Sequence, residues 1–460
     1  MTPEATPGAP LALMPQRDAP GPRGLPFIGS ILDVLRLGLL DLFTRTWKTY
    51  GDTFQLKVGR QRWLVLAHPD TAHHVMVGRR EKYIKGEIYD GLRLLTGNGL
   101  LTAEGDIWAK RRRLTQGIFT RSSVHGQIDH MLTAIDGQLD RALADGPADV
   151  EALTFATHVT LRVAGWSFFG LDLSDRIDTT SKALVDALGV VLARSTNPFL
   201  PPMWVPTPGN LKLRRSLAVL DRNMYEIIDN AVAVTSDQAN YVQRLIAARD
   251  EEDGQALPRQ AIRDEVLSFY FAGHDTTSLT LAWTLHFLAL APELLEEVVA
   301  EVHDVLGDAP PTADDIPRMP LLRRAIDETL RLRPPAWSSA RNCVANDVID
   351  GYEVRKGDWV MPCQYLIHRH PAFWDEPDTY MPSRFAPDVV AKRPKPAYFP
   401  FSMGPRTCVG MYFALVEAPI VLARLLQRCH VEARFDAEVA PIVELLVRPK
   451  GPIPLRLTAR

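Results

Sequence analysis

The chain lacks a G-x-G-x-x-G run, a C-x-x-C pair and any uninterrupted apolar stretch of bilayer length. Each absence excludes a class. Without a dinucleotide fingerprint there is no obvious flavin or nicotinamide domain; Gly97-Asn98-Gly99 comes nearest and continues as Leu100-Leu101-Thr102. The cysteines, Cys343, Cys363, Cys408 and Cys429, are too few and too scattered for a disulfide framework, which favours a reducing cytoplasm. Cys363 with His368 and His370 matches no usual zinc spacing. The first 26 residues hold seven prolines and the acids Glu4 and Asp18, so they fit neither a signal peptide nor a membrane anchor and read as a flexible or extended arm. Net charge is small as well: −3 at pH 7 gives no reason to expect a nucleic-acid partner.

What is present is a large apolar content, 46% of 460 residues, enough for a sizeable core. Length alone suggests about two or three domains. Phe27 to Phe43, interrupted by Asp33, Arg36 and Asp41, reads as an amphipathic surface helix. Thr53 to Val58 and Arg62 to Ala67 flank a turn at Gly59 and predict a hairpin; Val348 to Val360, punctuated by Gly351 and Gly357, predicts further strands. Between residues 70 and 333 the periodicity is mostly helical, with a proline-dense loop at Asn197 to Pro208, so the class is α+β and mainly α-helical.

The longest of these helices spans Asp264 to Leu290, about 40 Å at ~1.5 Å per residue. Its apolar flanks are interrupted by Ala272-Gly273-His274-Asp275-Thr276-Thr277. Gly273 permits a close approach to the backbone, and Thr276 is placed to bond back to the Ala272 carbonyl and loosen the helix locally. Further on, Phe401-Ser402-Met403-Gly404-Pro405-Arg406-Thr407-Cys408-Val409-Gly410 sets one cysteine in a kinked loop before an apolar helix, Met411 to Leu426. A helix N-terminus and the Arg406 cation both favour a thiolate at Cys408, a metal ligand by type; the plainer alternative is a structural cysteine in a tight turn.

The loop resembles the haem-binding element F-x-x-G-x-R-x-C-x-G of cytochrome P-450 monooxygenases, with Ala414 at its next fixed position. Ala272 to Thr277 is similar to the family's A-G-x-[DE]-T-[TS], Glu328 and Arg331 to its E-x-x-R, Arg384 to the arginine of its P-E-R-F with Ser383 in place of the glutamate, and Trp108 with Arg112 to its W-x-x-x-R.

The resemblance covers residues 20 to 455. It implies a single cytochrome P-450 domain over 27–460 behind a proline-rich arm at 1–26, a helix-rich triangular prism with a small β-sheet region. The cofactor it implies is haem b (iron protoporphyrin IX), with Cys408 as axial iron ligand, Phe401, Gly410 and Gly273 beside the haem, and Trp108, Arg112, Arg406 and Arg341 on its propionates. Asp275 and Thr276 are implied as the acid–alcohol pair that delivers protons during dioxygen activation. Lys110, Arg111, Arg113, Arg121, Lys392, Arg393 and Lys395 are candidates for a basic face receiving an acidic electron donor.

The implied activity is insertion of one atom of dioxygen, as hydroxylation or epoxidation, into a mainly apolar small molecule: a terpenoid, fatty acid, polyketide or steroid of the kind met in secondary metabolism. Electrons are expected from a ferredoxin and its NAD(P)H-dependent reductase, in the cytoplasm and without a transmembrane anchor. Two rivals remain: a donor-independent haem-thiolate isomerase or peroxygenase, and a haem-based sensor.

Overall fold

The computed structural model describes residues 18–171, 177–196, 200–233, 240–249 and 254–460. Helices dominate and the sheets are small, as expected for a mainly α-helical α+β chain. The largest sheet has five strands in the order Thr53–Val58, Gln61–Leu66, Trp359–Pro362, Arg341–Cys343, Tyr83–Ile84. Its first two strands are the expected hairpin, paired antiparallel from Thr53 with Leu66 to Val58 with Gln61. The third returns from far along the chain to run parallel to the second. Among the described residues no single helix is long and apolar enough to cross a membrane.

The expected helix at the start of the domain is two helices, Ile31–Leu37 and Leu39–Tyr50, broken at Gly38, whose φ of 76° lies in the left-handed region. The second buries Leu40, Leu42 and Phe43 against Phe54, Leu56, Trp63 and Trp337, so only the first stays on the surface. Of the arm, residues 18–26 are extended along the sheet: the Gln55 N–H bonds the Pro20 carbonyl at 2.8 Å, and Asp18 pairs with Arg62 at 3.0 Å. The rest of the arm lies outside the described residues, as do residues 197–199 of the proline-dense loop.

The long helix runs Arg259–Ala289, 31 residues, roughly 46 Å at ~1.5 Å per residue. It packs against the helices Ala152–Ala164, Pro320–Leu332 and Met411–Arg428, which is why it is buried on nearly all sides, its few charged residues included. From Ala261 to Ala289 every residue is buried except Ala272, Gly273 and Thr276. Those three fall on one side of the helix, at i, i+1 and i+4, and open it onto a cleft.

Candidate functional site

The Cys408 loop is fixed by its backbone. Cys408 N–H bonds the Phe401 carbonyl at 2.9 Å, Thr407 N–H and its hydroxyl both reach the Gly404 carbonyl, and Ser402 and Gly404 carry φ of 63° and 71°. Gly404 is required: a Cβ there would sit 2.5 Å from the Met76 carbonyl oxygen. At Gly410, φ is −84° and a Cβ would meet protein atoms only at 3.9 Å, so the protein itself does not demand glycine there.

Cys408 is exposed at its face yet enclosed by protein elsewhere, a thiol looking into open space. That enclosure pushes its pKa up, opposed by the Gly410 N–H and by the Arg112 and Lys85 cations. The expected contribution of Arg406 is absent. Arg406 turns instead to the Ala103 carbonyl at 2.9 Å and the Glu104 carboxylate at 2.6 Å, its guanidinium 4.1 Å above the Trp108 ring.

Above the loop an excess of enclosed positive charge collects. Arg341 is buried, yet it donates only to the carbonyls of Ala340 and Ser339 and has no carboxylate partner among the described residues. Lys85 is fully enclosed and bonds the Leu101 carbonyl; burial, then repulsion from Arg341 and Arg406, drives its pKa well below the ordinary lysine range. Burial likewise lowers Arg406 to about 10. Arg112 gives one bond, 3.0 Å to the Thr407 carbonyl, and the Trp108 indole N–H has no partner among the described residues. Glu104 thus serves Arg406 and Lys85 while Arg341 has no carboxylate among the described residues, and enclosed cations of this kind require anions. Two ligand carboxylates next to an open thiol would supply what is missing, and haem, with two propionates and an iron that accepts a thiolate, is a group of that kind. The residues fit the group. Lys85 was invisible in the sequence because no local motif marks it.

The structure separates the acid–alcohol pair. Thr276 faces the cleft and its hydroxyl donates to the Ala272 carbonyl at 2.8 Å, as expected. Asp275 is buried on another side, where both carboxylate oxygens bond Arg448 Nη2, at 2.6 and 2.5 Å. Gly273 opens on the cleft too, but the close approach its missing side chain admits is that of Phe168, which a Cβ would meet at 3.1 Å. His274 is a core histidine; its Nδ1 lies against the Tyr270 carbonyl and burial lowers its pKa.

Behind the loop, Glu328 and Arg331 form a buried fork, Nε to Oε2 2.7 Å and Nη2 to Oε1 2.8 Å, and Arg384 Nε reaches Glu328 at 3.3 Å despite the serine at 383. The expected basic face is thinner than its sequence. Arg111 is buried against Glu265 at 3.4 Å, and Arg393 stacks 3.8 Å over Trp374, because both aliphatic stems are needed inside. Lys395 stays outside, beside a cavity of about 630 Å³ lined by Phe401, Met403, Thr407 and Met411 next to the cysteine loop.

His370 pairs with Asp52 at 3.1 Å and touches His68, a triad compact enough for a metal. Its Nδ1 accepts the Ala372 N–H, so Nε2 carries the proton given to Asp52 and offers no lone pair. His368 Nε2 accepts the Phe399 N–H, which likewise removes it from any zinc set with Cys363.

Two buried acids set the pH response. Glu265, against Arg111 and the Leu100 N–H, is raised by burial to about 7; Glu417, bonded to Thr277, is raised to about 8. A raised carboxyl pKa means folding takes up protons, so this stability is full below the ordinary value near 4.5 and lost as pH rises through 7 to 8. The buried histidines His274, His286 and His368, lowered by burial, act oppositely but only below about 6.5. Thermal midpoints should therefore fall from pH 6.5 to 8.5, with Glu417 contributing about 2 kcal/mol at ~1.4 kcal/mol per pH unit. Glu417→Gln should flatten that fall; an unchanged slope would remove Glu417 as its source.

A family model described as cytochrome P450 matches residues 19–457. A protein named putative cytochrome P450 132 from Mycobacterium bovis is 31% identical over 417 residues, 87% of this chain and 88% of that one. Pentalenene oxygenase from Streptomyces avermitilis is 29% identical over 95% of this chain and 97% of its own, and cyclooctatin synthase from Streptomyces melanosporofaciens is 28% identical over 90% and 89%. Among solved structures, the cytochrome P450DA heme domain superposes with a TM-score of 0.87 at 26% identity, covering 96% of this chain and 98% of that one.

Proposed function

Since this chain belongs to the cytochrome P450 family, its cofactor is haem b and its activity that of a monooxygenase, and from that premise we propose that it oxygenates an apolar terpenoid, with Cys408 as the residue that would hold the haem iron. When bound, haem b supplies dioxygen activation, in which two electrons and two protons send one oxygen atom to substrate and the other to water. The observation carrying the site reading is the match of two openings: Cys408 exposed in its rigid loop, and Ala272, Gly273 and Thr276 alone open along a buried helix.

The chain's own residues divide the work. Cys408 would hold the iron of the bound haem; Trp108, Arg112, Arg406, Arg341 and Lys85 would hold its propionates, with Phe401 and Gly410 beside the sulfur. Thr276 stands at the cleft to pass a proton inward, with Asp275 behind it. Substrate lies against Ala272 and the Gly86 to Leu101 segment, and against Ala336 and Ser338, which stay open while Trp337 and Ser339 are buried. An apolar lining orients by shape and excludes water. Pentalenene oxygenase, cyclooctatin synthase and cyclooctat-9-en-7-ol 5-monooxygenase, terpenoid-oxygenating relatives, favour a terpenoid over the other apolar classes. Electrons come from a separate ferredoxin and reductase, docking beside Lys395 in the cytoplasm.

The test is a substrate-induced spectral-shift screen of terpenes against fatty acids, followed by turnover with NAD(P)H, ferredoxin and reductase. Terpenoid binding and a product one oxygen heavier are expected. In Thr276→Ala, NAD(P)H consumption should continue while product falls and peroxide rises. A shift and product only with fatty acids would overturn the substrate class, and unchanged coupling would remove Thr276 from the proton path.

A further inference from the structure

The Asp275–Arg448 pair reaches across the fold to a segment no motif marks. Arg448 lies on strand Val447–Pro449, which pairs with Pro441–Val443 in a C-terminal hairpin, Ile442 opposite Arg448. This strand lies along the long helix and is pinned to it twice. The Trp283 indole N–H donates to the Val447 carbonyl at 3.3 Å, and Arg448 holds Asp275 eight residues earlier, roughly two turns away on the same face. The Val447 N–H is tied in turn to the Pro335 carbonyl at 3.1 Å. The guanidinium has a second carboxylate in reach: Glu444 lies 3.6 Å from Arg448 Nε. Side-chain exposure falls along this row, 61% at Glu444, 21% at Arg448 and 7% at Asp275, so it leads from solvent to the helix directly behind Thr276.

Both oxygens of Asp275 are engaged by one nitrogen of Arg448, so the carboxylate cannot take up a proton and turn toward Thr276 without leaving at least part of that contact. A pair this enclosed is weak as a stabiliser by itself, and its worth lies in fixing geometry. We propose that Arg448 is a positioning residue for proton delivery, exchanging between Asp275 and the surface carboxylate Glu444, and that the C-terminal hairpin is thereby the port through which protons reach Thr276. This rests on the reading of Asp275 and Thr276 as the proton path. In the step, Asp275 released by Arg448 takes a proton from hydronium or a buffer acid in bulk solvent, whose conjugate base stays in solvent. It passes the proton to the Thr276 hydroxyl oxygen, whose own hydrogen moves into the cleft; no charge is left on the threonine and the Asp275 carboxylate returns to Arg448.

The experiment compares Arg448→Gln, Arg448→Lys, Glu444→Gln and Asp275→Asn as haem-loaded proteins. Double-mutant cycles on denaturant unfolding read the contacts without turnover: Arg448 should couple to both Asp275 and Glu444. In turnover, Arg448→Gln should lower product per NAD(P)H by roughly threefold or more and raise the solvent isotope effect, and Arg448→Lys should restore most of it. Glu444→Gln should slow product formation with an enlarged isotope effect, since Arg448 then stays on Asp275. Oxidation driven by added hydrogen peroxide, which brings its own protons, should be largely spared in all variants. Uncoupling in Asp275→Asn with normal coupling in both Arg448→Gln and Glu444→Gln would overturn the port and leave the proton path standing. Normal coupling in Asp275→Asn would sink the path itself. Parallel loss of peroxide-driven oxidation in the Arg448 and Glu444 variants would make the contact structural and overturn the proposal.

Discussion

Cys408→Ala is expected to abolish the strongly red-shifted band that thiolate-ligated haem gives when reduced under carbon monoxide, and with it all product formation. Cys408 occupies no packed cavity: its side chain faces open space, and the loop is held by the Phe401 and Gly404 carbonyls, which an alanine leaves in place. The variant should therefore fold, with stability changed by no more than about 0.5 kcal/mol before haem is added. No other thiol can substitute. Cys343 is buried and bonds the Ala345 carbonyl, and burial holds Cys363 and Cys429 up to about 12 and about 11, protonated and far from a ligand's state. The Lys85, Arg341 and Arg406 cluster is untouched, so the variant should still take up haem through its carboxylates, though more weakly. The spectrum of that loaded variant is the deciding measurement, and a normal thiolate band would falsify the ligand assignment.

Much of this site was legible because its parts are local. A cysteine in a glycine- and proline-shaped loop before a helix, and a small-residue and hydroxyl interruption in a long apolar helix, are written within ten residues each. The burial of all but Ala272, Gly273 and Thr276 between Ala261 and Ala289 turns that interruption into a cleft wall. Elsewhere the deciding contacts span the chain. Arg448 meets Asp275 across 173 residues, and Arg406 meets Glu104 across 302. Charge runs misled for the same reason: Arg111 and Arg393 sit among lysines and arginines in sequence, but each turns inward to a partner, Glu265 or the Trp374 ring, that only the fold supplies. The break at Gly38 went unread because the apolar pattern continues across it, whereas a φ of 76° cannot continue a helix.

Arg331→Met is expected to be the most damaging substitution outside the cysteine loop. Glu328 and Arg331 are both fully buried, 0% exposed, and Arg331 also donates to the carbonyls of His368 at 2.9 Å, Pro377 at 2.6 Å and Thr379 at 3.1 Å while lying 5.0 Å over the Trp374 ring. Removing it strands a buried carboxylate together with three carbonyls, a cost of about 3–5 kcal/mol against a total stability of about 5–15 kcal/mol. Little soluble, haem-loaded protein should accumulate at ordinary growth temperature. Glu328→Gln keeps the shape and an acceptor for the Met381 N–H, now 2.9 Å from Oε1, so it should cost less. Arg384→Gln should cost least of the three, because its Nε approaches Glu328 only at 3.3 Å and finds no well-formed hydrogen bond there. Denaturant unfolding of the three variants should give that order. A natively stable Arg331→Met would show that the carbonyls of the Trp374 to Met381 turn are satisfied without the guanidinium, and that the triad does not bind this turn to the Pro320–Leu332 helix behind the haem site.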